Sequence, residues 1–135
     1  MKTYSYTTTT NLPAQKLYAA IADIARWPEW DKDIEATALE TGGRFTLKPK
    51  GGPKVAMEIV EAVEPSSFVD LSHLPLAKMR TSHAFEPSPE GTRVKVTIEV
   101  FGALGFLWDR IVARKQAAGA AEQTRAFLAF AARQA

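Results

Sequence analysis

The sequence predicts an α+β fold: a curved antiparallel sheet of seven strands wrapped around a long C-terminal helix, with two short helices after the first strand. Three observations predict it. Between Ile34 and Phe101 short alternating runs are separated by Gly- and Pro-rich turns, the pattern of hairpin-connected strands. Beyond Gly105 no proline occurs, and Ala, Gln, Arg and Leu dominate to about Arg133, which reads as one helix. Between the first strand and the hairpins stands an amphipathic segment, Pro13 to Ala25, that runs into Arg26-Trp27-Pro28-Glu29-Trp30-Asp31.

Lys2 to Thr9 alternates and is rich in Thr and Tyr, which suits a strand with Tyr4 and Tyr6 on one face. Asn11-Leu12-Pro13 reads as a helix start, because Asn caps and Pro is tolerated in the first turn. Leu17, Ile21 and Ile24 then fall at helical spacing. Pro28 ends that helix, and a second short one is expected from Pro28 to Asp33. The two tryptophans carry the largest buriable surface of any side chain. They serve either as plain core anchors or as the closed end of a cavity.

The strands follow in order. Ile34 to Glu40 and Arg44 to Lys48 flank Thr-Gly-Gly, with Phe45 and Leu47 on one face. Pro49 to Pro53 is a turn. Lys54 to Val63 places Val55, Met57 and Ile59 on one face, but Val60 and Ala62 on the other leave its phase open. Phe68 to His73 and Lys78 to Glu86 flank Leu74-Pro75-Leu76, and the latter strand aligns Met79, Thr81, His83 and Phe85. Thr92 to Phe101 alternates with Val94, Val96, Ile98 and Val100 inward. The terminal helix is bulky at its start (Leu104, Leu107, Trp108, Ile111) and at its end (Phe127, Leu128, Phe130), whereas its middle, Ala117 to Ala121, is alanine with Gly119. A slim waist implies either close packing there or a hollow between helix and sheet.

The 135 residues suit one domain, 1–135. Hydrophobic residues at 46% and charged residues at 24% are an ordinary globular balance. With no cysteine, disulfides, thiolate metal sites and a Cys nucleophile are excluded. That absence, with no apolar core run in Met1 to Thr10, fits a cytoplasmic protein without a signal peptide. No apolar run reaches the roughly 18 to 20 residues of a membrane span. The net charge of +2 is spread among interleaved acids, without the basic-aromatic runs of nucleic-acid binders, so no nucleic acid is expected as a partner. Gly42-Gly43 and Gly51-Gly52 sit in hairpin turns and form no phosphate loop. Two separated histidines give no metal motif, and the serines lack a nucleophile elbow. No cofactor or metal is expected.

Four stretches resemble a known superfamily. Trp27-Pro28-Glu29-Trp30-Asp31 after a helix is one, and Val63-Glu64-Pro65 before the middle strand is another. The third is His83-Ala84-Phe85-Glu86-Pro87 followed by Glu90-Gly91-Thr92-Arg93-Val94, and the last is Gly102-Ala103-Leu104-Gly105. Together they are similar to the SRPBCC or START-like superfamily, in its polyketide cyclase/dehydrase subgroup. The resemblance implies the helix-grip fold and an internal cavity for lipids, sterols, hormones, polyketides or other apolar molecules.

Such a cavity needs apolar walls and a few orienting polar groups. The wall candidates are Trp30, Phe45, Leu47, Met57, Ile59, Met79, Phe85, Val96, Trp108 and Ile111, each of which also reads as ordinary core. His83, on the apolar phase of its strand, is the candidate ligand-binding and proton-carrying side chain, against the plainer reading of a hydrogen-bonded His at the sheet rim. His73 falls at a loop mouth. Asp70 is either a buried carboxylate or solvent-facing. Tyr4, Tyr6 and Arg80 are candidate donors to an anionic ligand group, and Glu122 with Arg125 is expected to pair on the exposed helix face. The reading that follows is a binding protein for a hydrophobic or amphipathic small molecule, monomeric or weakly dimeric. The alternatives are a polyketide cyclase or dehydratase using the same cavity, with His83 as proton carrier, and a protein-interaction module presenting Leu74-Pro75-Leu76.

Overall fold

A computed structural model describes residues 2–134; Met1 and Ala135, the outermost positions of the expected 1–135 domain, lie outside the described residues. The strands are β1 (Lys2–Thr10), β2 (Ile34–Leu39), β3 (Arg44–Pro49), β4 (Val55–Val63), β5 (Ser67–Leu74), β6 (Ala77–Ser88) and β7 (Gly91–Phe101). They form one antiparallel sheet in the order β1-β7-β6-β5-β4-β3-β2, so successive hairpins are neighbours and β1 adds to the far edge. The result is the antiparallel sheet expected from the alternation and turns, in the helix-grip arrangement that the resemblance implied.

Register assigns the faces. Directly paired residues share a face of an antiparallel sheet. One row runs Ile59–Asp70–Thr81–Ile98–Tyr4, the next Phe68–His83–Val96–Tyr6, and the row on the other side Met57–Ser72–Met79–Val100–Lys2. These rows point toward the helices. The ambiguous phase of β4 has a cause: Ile59 pairs with Asp70 but Glu61 pairs with Val69, so Val60 is an extra, bulged residue and the side chains beyond it swap faces.

The helical layer departs from expectation in three places. Helix α1 (Ala14–Ala22) ends before Ile24, and a 3-10 turn spans Ile24–Glu29 where a helix over Pro28 to Asp33 was expected. Pro28 is accommodated inside that turn, and its missing N–H and its ring, which would clash with the carbonyl four residues back, oppose an α-helical continuation. The C-terminal helix is segmented. It consists of α2 (Gly105–Trp108), a π-type turn (Asp109–Ala113), α3 (Arg114–Ala118), a break at Gly119 with φ −94° and ψ 3°, and α4 (Ala120–Arg133). Asp109 and Ala113, four apart, share one helical face and are both buried. Glu122 pairs across to Lys32 at 3.1 Å, so the Glu122–Arg125 pair is replaced by a tie between α4 and the loop before β2.

The core is split in two. A large aromatic cluster joins α1, the 3-10 turn and the end of α4 to the sheet through Trp27, Trp30, Phe45, Phe68, Phe85 and Phe127. A smaller one gathers Met79, Ile98, Val100 and Ala113, with Trp108 partly buried against it. Between them lies the slim waist.

Candidate functional site

Under that waist the sheet presents polar side chains. Pairing of Asp70 with Thr81 puts both in one row, and His83 follows two residues along β6 on the same face. The helix above contributes small residues, Ala113, Ala120 and Thr124 among its buried positions and Ala117 half-buried. Asp70 and Ser72 are buried, while Thr81 and His83 keep part of their surface accessible. Accessibility on a covered face of a central strand requires adjoining space that a water-sized probe can enter. Thr81 and His83 lie in the band between the two apolar clusters.

The electrostatics fit a low-dielectric pocket. Burial pushes the Asp70 carboxyl up to about 7 and the His83 imidazole down to about 4, since each charged form loses hydration. At neutral pH His83 is a neutral imidazole, and Asp70 holds a proton for much of the time. The His83 Nδ1 has no hydrogen-bond partner. The plainer expectation was a rim histidine satisfied by a neighbour; His83 is half-buried instead, with its Nδ1 enclosed and unpaired. Unpaired buried polar atoms are rare in folded proteins.

The two tryptophans divide their roles. Trp27 donates its indole N–H to the Ile21 carbonyl at 2.9 Å and is a structural anchor. Trp30, equally enclosed, leaves Nε1 without an acceptor. Trp30 and His83 both meet Phe127, at ring-centroid distances of 5.0 and 6.3 Å, and Phe85 stacks on the same ring at 6.4 Å. Phe127 is thus the hub that brings a free N–H and a free imidazole nitrogen to one region.

Two buried carboxylates pin the helix on either side of the waist. Asp109 accepts from the Tyr4 hydroxyl at 2.6 Å and from Arg114 at 3.3 Å. Asp31 accepts from Gln123 at 2.6 Å and from the Asp33 N–H at 2.9 Å, and burial raises its pKa. Neither aspartate was singled out from the sequence. For Asp109 the signal was a lone acid inside a bulky apolar stretch; Asp31, between Trp30 and Lys32 with Glu29 and Asp33 nearby, had no such mark.

Of the wall candidates, Trp30, Phe45, Met57, Phe85 and Val96 lie in the aromatic cluster, with Leu47 and Ile59 partly buried beside it. Met79 and Trp108 belong to the second cluster. Trp108 directs its N–H outward to the Pro75 carbonyl at 2.9 Å. Ile111 does not join them: it is 46% exposed, because it lies two residues from both Asp109 and Ala113, on the side of the helix opposite the buried one. Tyr4 is committed to Asp109. Arg80 faces outward, toward Glu99 at 3.7 Å and over the Phe101 ring, and His73 pairs with Glu58 at 3.1 Å on the outer face.

Two surface grooves lie elsewhere. One of about 490 Å³ runs between α1 and the end of α4, past Ala19 and Phe130. Another of about 400 Å³ lies along the β5–β6 turn and Phe101. None of the wall candidates lines either. Among the described residues no cluster of three or more His, Asp or Glu side chains could hold a metal ion. No helix among them is long and apolar enough to cross a membrane.

Residues 1–133 match the family described as polyketide cyclase / dehydrase and lipid transport. No curated protein sequence matches. Several solved structures share the fold. The di-domain ARO/CYC StfQ from the steffimycin biosynthetic pathway aligns with a TM-score of 0.75 at 17% identity, over 96% of this chain and 50% of that one. A hypothetical protein, jhp0584 from Helicobacter pylori, aligns with a TM-score of 0.75 at 12% identity, over 96% and 88%. A START superfamily protein from Mycobacterium smegmatis gives 0.67 at 15%, over 92% and 96%.

Proposed function

The chain belongs to the polyketide cyclase/dehydrase and lipid transport family, and from that premise we propose that it binds a hydrophobic or amphipathic small molecule in the band between sheet and C-terminal helix. The observation that carries this reading is the pair of orphan polar atoms, Trp30 Nε1 and His83 Nδ1, gathered around Phe127. A ligand with a carbonyl or hydroxyl oxygen that accepts from the indole N–H, and a hydroxyl that donates to the imidazole nitrogen, meets both needs. Its apolar remainder lies against Met57, Met79, Ile59, Leu47 and Phe85. Binding then converts two uncompensated buried groups into hydrogen bonds, each worth about 0.5–1.5 kcal/mol net and more where the groups were unsatisfied.

Native mass spectrometry of the purified protein and titration with an environment-sensitive hydrophobic probe test the reading. Saturable binding that quenches or shifts Trp30 emission supports it. An interior that takes up neither probe nor co-purifying molecule overturns it.

A second reading, an enzyme of the cyclase or dehydratase type, is favoured by one specific feature. Asp70 and His83 share a face in adjacent rows with pKa values pushed apart, a neutral base beside a carboxylic acid at pH 7. In an aldol cyclisation His83 would take the α-proton, and protonated Asp70 would give its proton to the carbonyl oxygen as the carbon–carbon bond forms. Holding both reacting carbons in one enclosed space would supply the larger acceleration. Turnover of a linear polyketide surrogate that survives both His83→Ala and Asp70→Asn unchanged rules out these roles.

A further inference from the structure

The sheet has chemically unlike ends. At one end meet the start of β1, the β3–β4 turn, the β5–β6 turn and the exit of β7, with α2 and its following turn packed beside them. The largest exposed apolar side chains of the helical layer and the β5–β6 turn collect here: Leu76 is 71% exposed, Phe106 67% and Ile111 46%. Two hydrogen bonds hold the turn against the helix start, Leu104 N–H to Leu76 O at 3.0 Å and Trp108 Nε1 to Pro75 O. These bonds fix the Leu76 turn against the start of the helix that carries Phe106, with Ile111 following one turn on. Leu76 stands at φ 56°, a left-handed conformation that a bulky side chain avoids. A strained, solvent-facing leucine contributes nothing to the core.

The charges at this platform are cationic. Arg110, Arg114 and Lys115 continue the exposed helix face that begins at Phe106 and Leu107, and Lys78 flanks the β5–β6 turn. From 102 to 121 the only carboxylate is Asp109, buried and already taken by Tyr4 and Arg114. At the opposite end of the sheet the turns carry Glu40, Glu64 and Glu90, and the adjoining strand ends carry Glu61 and Glu86 with Arg44 and Arg93.

We propose that this platform docks on the surface of an anionic phospholipid bilayer, inserting Leu76, Phe106 and Ile111 while Arg110, Arg114 and Lys115 lie at the headgroup level. An apolar tip ringed by long basic side chains has the chemistry of an interfacial binder. A second copy of the chain fits worse, since a two-fold contact on this surface sets the same cations against one another. The proposal is independent of the interior ligand, because it requires only the outer surface.

Flotation of the full chain with phosphatidylcholine vesicles, alone and with about 30% phosphatidylserine, tests it. Binding is expected with the anionic vesicles and is expected to weaken as salt is added. Leu76→Asp and Phe106→Asp should each reduce it at least about tenfold, and Arg110→Gln or Lys115→Gln about fivefold each. Leu39→Asp, at an equally exposed apolar position on the β2 edge, should leave it unchanged. Circular dichroism and thermal unfolding of each variant separate lost docking from lost folding. No binding to anionic vesicles, equal binding to neutral ones, or the same loss in Leu39→Asp overturns the proposal. So does concentration-dependent self-association that Phe106→Asp abolishes while vesicle binding stays.

Discussion

The Tyr4 hydroxyl donates to Asp109 Oδ1 at 2.6 Å across 105 residues of sequence, tying the first strand to the first turns of the C-terminal helix. Asp109 is 2% exposed, and its other oxygen has only the longer contact to Arg114. Tyr4→Phe keeps the ring and removes the donor. It should cost about 1.5–3 kcal/mol, the range for a hydrogen bond to a buried charge. Urea unfolding at pH 7 measures it, and a change below about 0.5 kcal/mol would mean that Arg114 alone satisfies the carboxylate.

His83→Leu exchanges an imidazole with an orphan nitrogen for an apolar group of similar size. Stability at pH 5 should rise by about 1–2 kcal/mol, since an unsatisfied buried group is removed. The folded His83 titrates near 4 rather than 6.5, so the folded state binds fewer protons than the unfolded chain between those values. Its cost to stability therefore grows as pH falls through that window. The variant should lose that acid-side slope, and it should also bind the hydrophobic probe more weakly.

Asp70 has the opposite sign. Its pKa rises from 3.8 unfolded to about 7 folded, so the folded state holds the extra proton in between. Stability falls as pH rises through that interval and levels off above it. Asp70→Asn should match the parent near pH 4 and exceed it by about 2–4 kcal/mol at pH 8, at 1.36 kcal/mol per unit. Paired thermal melts across that range would show it. Parallel curves for the two proteins would place the carboxylate in contact with water.

Phe127→Ala removes the ring on which Trp30, Phe85 and His83 converge. A loss of about 3–5 kcal/mol is expected for a fully enclosed aromatic. The Trp emission should shift to longer wavelength as Trp30 becomes hydrated.

The strand alternation of β7, the turn residues and the proline-free terminal stretch made the sheet order and the helical cover legible in the sequence. Val60 was not legible as a bulge, since an extra residue leaves no mark beyond a muddled apolar phase. The inward face of Asp70 could not be read alone either, because Ser72 shares its phase and both turn out to be buried against β6. Ile111 looked like wall by composition, and what turns it outward is that Asp109 and Ala113, two residues to either side, take the buried face of the helix. Trp27 and Trp30 are indistinguishable as residue types. What separates them is the Ile21 carbonyl, a neighbour fixed by the tertiary path of the chain.

The break at Gly119 and the gap between the two apolar clusters have a joint consequence. The segment from Gly105 to Ala118 rests on a small group of contacts around Met79 and Val100, whereas Ala120–Arg133 is rooted among aromatic rings. Amide protons of the two segments should therefore exchange with deuterium in separate classes, the first through a low-energy partial opening and the second only with global unfolding. The terminal helix then behaves as a door and its frame, with the hinge at the one residue there that lacks a side chain.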